Sequence, residues 1–186
     1  MSILITRASS RAHLEGIMAL HTANLRCNLS AEEIRTQGFV SAEYTLEFLE
    51  HMHAVGPSII AVDGNEVVGY ALVADVSVCA EHELLWDMVN VIDRTSYNGV
   101  LLKGTRYVVM GQLCVARSHR RAGLVNRMYQ HYRQTLAAQF DYLITDTARD
   151  NPGSLRAHIK SGFQVISTLQ YDGIEWDLVL WDWTGS

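Results

Sequence analysis

Apolar residues at 106–115 fall on both faces of an extended segment, with Val108, Val109 and Met110 followed by Leu113, Cys114 and Val115. A strand open to water on one face alternates apolar and polar positions. This one does not, so it is expected at the centre of a sheet, buried on both sides. Gly111 interrupts the run, and a glycine inside a strand marks a bulge or a close approach by another backbone. The pattern then changes period. Leu124, Met128, Tyr132 and Leu136 recur every four residues with Val125 and Tyr129 beside them, which predicts an amphipathic helix.

The same two periods organise the rest of the chain. Residues 3–6 read as a short first strand. Ser9 or Ser10 caps a helix carrying Leu14, Ile17, Met18 and His21 on one stripe. Ser30 and Glu33 form a capping box for a second short helix, and Leu46, Phe48, Leu49 and Met52 predict a third over 42–52. Strands at 58–62 and 67–73 flank the turn Asp63-Gly64-Asn65-Glu66, an antiparallel hairpin. The less regular stretch 76–104 holds a helical pattern over 81–92 and a turn at Tyr97-Asn98-Gly99. After the amphipathic helix come a strand at 142–145 and a helix opened by Asn151-Pro152 and closed at Gly162. Strands at 163–167 and 174–183 finish the chain. The order is β-α-α-α-β-β-insert-β-α-β-α-β-β, and the alternation in its second half predicts an α/β sheet.

Composition narrows the classes. A chain of 186 residues suffices for one domain with its own core, and 48% apolar residues exclude a disordered chain. A net charge of −5 gives no general attraction to nucleic acid or to an anionic membrane. Cys27, Cys79 and Cys114 include no CxxC pair, which argues against a disulfide framework or a zinc site and fits a reducing cytosol. The N-terminus lacks the apolar region of a signal peptide, and no stretch reaches the roughly 18 apolar residues of a membrane span. A cytoplasmic protein is expected. His51 and His53 point apart on a helix and make no metal pair, and no HExxH or GxGxxG pattern occurs.

Against that acidic background stands one basic run, Arg117-Ser118-His119-Arg120-Arg121, between the central strand and the amphipathic helix. Unpaired N–H groups and the positive end of the helix dipole converge at such a start, and Gly123 lets an anion approach the backbone. Arginines there oppose the dipole unless an anion is present. A phosphate site and a solvated basic turn are the two readings.

These residues resemble the acetyl-CoA signature of the GNAT superfamily of N-acetyltransferases, Q/R-x-x-G-x-G/A after a strand ending in an apolar triplet. Leu113-Cys114-Val115 supplies the triplet and Arg120-Arg121-Ala122-Gly123-Leu124-Val125 the signature, with Val125 where the family has a small residue. A second family segment, N-x-x-A/S-x-x-x-Y/H-x-K-x-G-F, is similar to Asn151, Ser154, His158, Lys160, Gly162 and Phe163 at the same offsets. The likeness covers 58–75 and 106–183. It implies a single GNAT-like α/β domain over 1–186, with a mixed, mostly antiparallel central sheet of about six to seven strands flanked by helices and splayed at its central strands. The helices at 8–55 and the insertion at 76–104 would wall the acceptor site.

The resemblance implies acetyl-CoA as co-substrate, with no metal. Leu113, Cys114, Val115, Arg120, Arg121, Ala122, Gly123, Leu124, Val125, Asn151 and Ser154 are its implied contacts. Backbone groups at 113–115 would pair with pantetheine amides as an added strand does. His158 stands where the family places a Tyr or His acid for the departing thiolate; packing or capping is the alternative for it, and capping for Asn151 and Ser154. Cys114 as an acyl-accepting nucleophile competes with Cys114 as a small buried hydrophobe. The strand before the signature offers Gly111 and Gln112 and no carboxylate, so the base is a water chain or Asp146. The expected acceptor is a primary amine of a small molecule or peptide, attacking directly. Glu81, Glu83, Trp86, Asp87 and Asp93 either suit a cationic amine or form a solvated helix face. Trp176, Trp181 and Trp183 read as packing, with a homodimer edge as the alternative. The competing functions are a non-catalytic acyl-CoA sensor or interaction module, and an anion site for another ligand.

Overall fold

The computed structural model describes residues 2–171 and 173–185. In chain order, β1 (Leu4–Arg7) leads to three helices, α1 (Arg11–Asn24), α2 (Ala31–Gln37) and α3 (Leu46–Val55). The hairpin β2 (Ile59–Asp63) and β3 (Glu66–Ala74) follows. The insertion resolves into α4 (Val76–Cys79), α5 (Glu83–Ile92) and a small hairpin, β4 (Ser96–Tyr97) and β5 (Val100–Leu101). The second half runs β6 (Tyr107–Val115), α6 (Leu124–Leu136), β7 (Tyr142–Ala148), α7 (Pro152–Lys160), β8 (Gln164–Tyr171) and β9 (Ile174–Asp182).

Seven strands form one mixed sheet in the order β1-β2-β3-β6-β7-β9-β8. Only β6 and β7 run parallel; the other neighbours are antiparallel. Because side chains alternate along a strand, the sheet carries two cores. On one face Leu14, Ile17, Leu49, Met52 and Leu85 pack against Val109, Ile144 and Leu178. On the other, Met128, Tyr129 and Tyr132 of α6 pack against Val108, Leu143, Val179 and Trp181. Each such side chain contributes about 1.5–3 kcal/mol on burial, so strand β6 is gripped from both sides, as its apolar pattern requires.

The caps set the helix boundaries. Ser10 accepts from His13 N–H at 3.3 Å, and Ser30 with Glu33 closes a reciprocal capping box on α2. Helix α3 begins later than its apolar pattern suggests, because Thr45 caps it through Phe48 N–H at 3.1 Å. That leaves 41–44 outside any helix or strand, with Tyr44 buried and donating to the Gly111 carbonyl at 2.9 Å. The bulge expected at Gly111 is present. Pairing with β3 shifts from Val73↔Met110 to Ala71↔Leu113, so the extra residue lies at Gly111-Gln112. A Cβ on Gly111 would sit 3.1 Å from Met52 Cε and 3.4 Å from Tyr44 Oη, the close approach that the glycine permits. Among the described residues no helix is long and apolar enough to cross a membrane.

Candidate functional site

Strands β6 and β7 pair only over 107–109 and 142–144. Both continue, β6 to Val115 and β7 to Ala148, but they part after Thr145, whose hydroxyl donates to Met110 O at 2.9 Å. The other edge of β6 stays paired with β3 as far as Val115↔Gly69. The edge of 113–115 that faces β7 is therefore the one without a strand partner. Between the parted strands lies a narrow cleft of about 50 Å³, roofed by Phe39 and Leu85 on one side and reached by Ser154 and His158 of α7 on the other.

Buried polar atoms in proteins are almost always hydrogen-bonded. Along this cleft Gln112 Oε1, Asp146 Oδ2, Thr147 Oγ1 and Trp176 Nε1 are buried and have no partner among the described residues. Asp146 lies between Ile144 and Ala148, which both belong to the core under α1, α3 and α5, so its carboxyl faces that side. Burial, only partly offset by a backbone hydrogen bond, pushes its pKa up to about 7. Asp146 is thus a carboxyl that changes protonation state near neutral pH, at the parted edge of β7.

The opposite side of the cleft is furnished by α7. Asn151 caps the helix, accepting from Ser154 N–H at 3.4 Å, and its amide donates to Phe39 O at 3.1 Å. His158 is 3% exposed and holds both ring nitrogens in hydrogen bonds, Nδ1 with Tyr129 Oη at 2.7 Å and Nε2 with Ser154 Oγ at 3.2 Å. Burial pushes its pKa down to about 4, so the ring is neutral at pH 7. A neutral ring bonded at both nitrogens, with Ser154 at one of them, suits a positioning role better than the direct acid role expected for it. The spacing of 151, 154 and 158 did place all three at one cleft.

Helix α6 opens without any side-chain cap. Its N-cap Gly123 has φ +71°, with nothing within 4 Å of the position a Cβ would take. Arg121 is also left-handed, at φ +65°, a conformation that costs a non-glycine residue about 1–2 kcal/mol. Arg121, Ala122 and Gly123 are exposed, and Leu124 is buried beneath them. Two side chains at this turn are placed by the structure. The Arg120 guanidinium is committed inward, to Val115 O at 3.0 Å, Gln37 O at 2.8 Å and Asn24 Oδ1 at 2.8 Å. It braces the end of β6 and leaves Arg121 as an exposed cation beside the helix start. Val125 packs on the core beneath α6, so its side chain is directed away from the helix start.

Other expected groups fall elsewhere. Cys114 is buried and its thiol is pushed up to about 11 by burial, which suits a small hydrophobe and not a nucleophile. Glu81 pairs with His51 at 2.9 Å, and Asp93 accepts from Tyr107 Oη at 3.2 Å. Asp87 and Asp93 line a separate open depression, and Trp86 is 41% exposed. Helix α5, which starts at Glu83, turns Leu84 and Leu85 to the cleft, so of the two readings of Glu81, Glu83, Trp86, Asp87 and Asp93 the solvated helix face fits the structure. Trp181 and Trp183 pack in the α6 core and Trp176 in the core on the other face, as expected, and Trp176 also borders the cleft. Tyr129, the partner of His158, gave no signal beyond its place on the apolar stripe of α6.

Comparison with known proteins agrees with this geometry. The model of the Acetyltransferase (GNAT) family matches residues 17–163. No curated protein sequence matches. Among solved structures, one from the NatC complex bound to Gag peptide and CoA superposes with a TM-score of 0.69 at 14% identity, covering 99% of this chain and 100% of that one. A GNAT family acetyltransferase from Streptococcus agalactiae gives 0.67 at 16% identity, covering 97% and 95%. A putative acetyltransferase from Salmonella typhimurium with its cofactor acetyl-CoA gives 0.64 at 15%, covering 100% and 96%. The family match over 17–163, on a sheet parted between β6 and β7 beside an uncapped α6, means that this chain belongs to the acetyltransferase (GNAT) family.

Proposed function

We propose that the chain transfers an acetyl group from acetyl-CoA to a primary amine of a small molecule or peptide, by direct attack in the cleft between β6 and β7. The observation that carries this reading is the convergence on one cleft of a strand edge at 113–115 that has no strand partner, an Asp146 carboxyl whose Oδ2 has no partner among the described residues, and the Ser154–His158 pair. The residues present fit acetyl-CoA. The uncapped N–H groups at the start of α6, with Arg121 beside them, suit a pyrophosphate. The edge of 113–115 has no strand partner, although Val115 O accepts from Arg120, and it suits pantetheine amides; Asn151 and Ser154 stand alongside it. The Salmonella typhimurium and NatC structures hold acetyl-CoA and CoA respectively.

When bound, acetyl-CoA supplies an activated thioester; the rest is the work of side chains. Asp146 accepts a proton from the attacking amine, being about half ionised near pH 7. Ser154 donates a hydrogen bond toward the departing sulfur. His158 acts through Ser154 as a positioning residue, with Tyr129 fixing its ring.

Titration calorimetry with acetyl-CoA, followed by a thiol-release assay on an amine panel, tests the proposal. Micromolar binding that Gly123→Asp weakens at least tenfold, together with thiol release, is the expected result, because bulk and negative charge would occupy the anion position. Binding without thiol release for any amine would make the chain an acyl-CoA sensor. Absence of binding would assign the α6 start to another anion.

A further inference from the structure

The unpartnered atoms on the acceptor side of the cleft have a definite donor and acceptor pattern. Gln112 Oε1 on β6 and Asp146 Oδ2 on β7 accept; Trp176 Nε1 on β9 only donates. Their places in the sheet are fixed by register. Asp146 pairs with Leu178, and Trp176 pairs with Ala148, so Asp146 and Trp176 are diagonal neighbours on one face. Gln112 sits in the β6 bulge on the facing lip. All three line the same cleft as Phe39, Leu84 and Leu85.

A neutral primary amine has two N–H groups and one lone pair. Gln112 and Asp146 together take both N–H groups and leave the lone pair free for a thioester. Trp176 then requires an oxygen close to that amine. A plain alkylamine has none, and a lysine ε-amine is separated from its nearest carbonyl by a chain of methylenes. An α-amine one carbon from a carbonyl has it. Among the described residues lining the cleft there is no Lys or Arg, so a free carboxylate would be buried beside Asp146 without a counter-charge, at high cost. A neutral amide carbonyl meets no such penalty. We infer that the acceptor is the free N-terminus of a peptide, its α-amine held between Gln112 and Asp146, its first carbonyl on Trp176 Nε1, and an apolar first side chain against Phe39 and Leu84.

This rests on the transferase reading above, and the test separates the two. The protein is assayed for thiol release with acetyl-CoA and four acceptors of similar size. These are a short peptide with a free N-terminal leucine, the same peptide N-blocked with one internal lysine, free leucine, and an alkylamine. The free N-terminal peptide is expected to exceed the other three by about ten- to hundredfold in kcat/KM, the range for one buried group left unpaired. Trp176→Phe should collapse the preference of the peptide over the alkylamine, and Gln112→Leu should raise KM for the peptide; melting curves establish that both variants fold. Equal or better turnover of the lysine peptide, free leucine or the alkylamine by the wild-type protein overturns the peptide inference and leaves the transferase intact. Acetyl-CoA binding without thiol release for any acceptor overturns the transferase reading itself.

Discussion

The two ends of the β6–β7 pair are built from the same two strands and behave oppositely. At 107–109 and 142–144 the backbones pair, the side chains are apolar, and both faces are sealed. Past Thr145 the strands part, and Gln112 Oε1, Asp146 Oδ2 and Thr147 Oγ1 are buried without partners among the described residues. An unpaired buried group costs about 1–3 kcal/mol, so the parted end is maintained against its own stability. The paired end holds the fold together. The parted end stores unmet hydrogen-bonding capacity, the usual mark of a site that awaits a ligand.

Exchanging a residue at each end should separate the two roles, and Asp146 should show the largest effect. Asp146→Asn is expected to lower kcat/KM by about 10²–10⁴-fold, the range for one acid–base group. In the native protein kcat/KM should rise with pH through about 7. Stability should move the other way. The unfolded carboxyl loses its proton near pH 4 and the folded one only near 7, so stability that Asp146 contributes when protonated is lost as pH rises through that window. Asp146→Asn should therefore raise Tm at pH 8 and change it little at pH 4. Val109→Ala at the paired end should show the reverse: a loss of roughly 1–3 kcal/mol in stability with turnover per folded molecule unchanged. A pH-independent Tm difference for Asp146→Asn would refute the raised carboxyl.

Arg120 ties the end of β6 to α1 and α2. Arg120→Ala leaves Val115 O, Gln37 O and Asn24 Oδ1 without their donor. A loss of about 2–3 kcal/mol in denaturant unfolding is expected. Arg121→Ala, on an exposed side chain, should leave Tm alone and weaken acetyl-CoA binding instead. If the two variants exchange these signatures, the inward assignment of Arg120 is wrong.

What could be read in the sequence was local. Element order, the hairpin at Gly64, the Gly111 bulge and the α2 capping box follow from periods and turn chemistry within a few residues. The open start of α6 was legible because arginines opposing a helix dipole are conspicuous. Long-range facts were not legible. Helix α3 starts late because Tyr44 is drawn into the core to reach Gly111, and α4 is too short to display a period. Asp146 could only stand beside a water chain as a base, since an acidic residue at a strand end is commonly solvated and burial is a property of the assembled sheet. The acidic residues of 81–93 stay open in the sequence between an acceptor wall and a solvated face, because a helix pattern fixes which residues share a face, and not which face meets the cleft.

His158 should give a smaller effect, through Ser154 and not through a titrating proton. His158→Phe is expected to cost about tenfold in kcat, the loss of one positioned hydrogen bond. It should also destabilise by about 1–3 kcal/mol, because Tyr129 Oη loses its partner. With a folded pKa near 4, the native ring resists protonation that the unfolded one accepts near 6.5, so its stability contribution is lost as pH falls through that window. His21, also lowered to about 4 by burial, adds to the same loss. The native protein should therefore lose Tm more steeply than His158→Phe between pH 6.5 and 4. An activity limb with a pKa of 6–7 that disappears in His158→Phe would restore the direct acid.

The smallest effect is expected at Val125, where the family signature has a small residue. A β-branched side chain at that point would crowd an anion if it were directed at the helix start. Here it packs on the core under α6 while its backbone remains in the first, uncapped turn. Val125→Ala removes two methyl groups from a half-buried position, which destabilises, and replaces a β-branched residue with the best helix former, which stabilises by a few tenths of a kcal/mol. The two contributions oppose each other, so Tm should shift by no more than a few degrees. The anion contacts at this turn are backbone N–H groups, which the substitution leaves in place. Acetyl-CoA Kd by calorimetry should accordingly stay within about twofold of the native value, less than 0.5 kcal/mol. Tenfold tighter binding in Val125→Ala would mean that the valine methyls do face the phosphate, and would reverse the placement of this side chain.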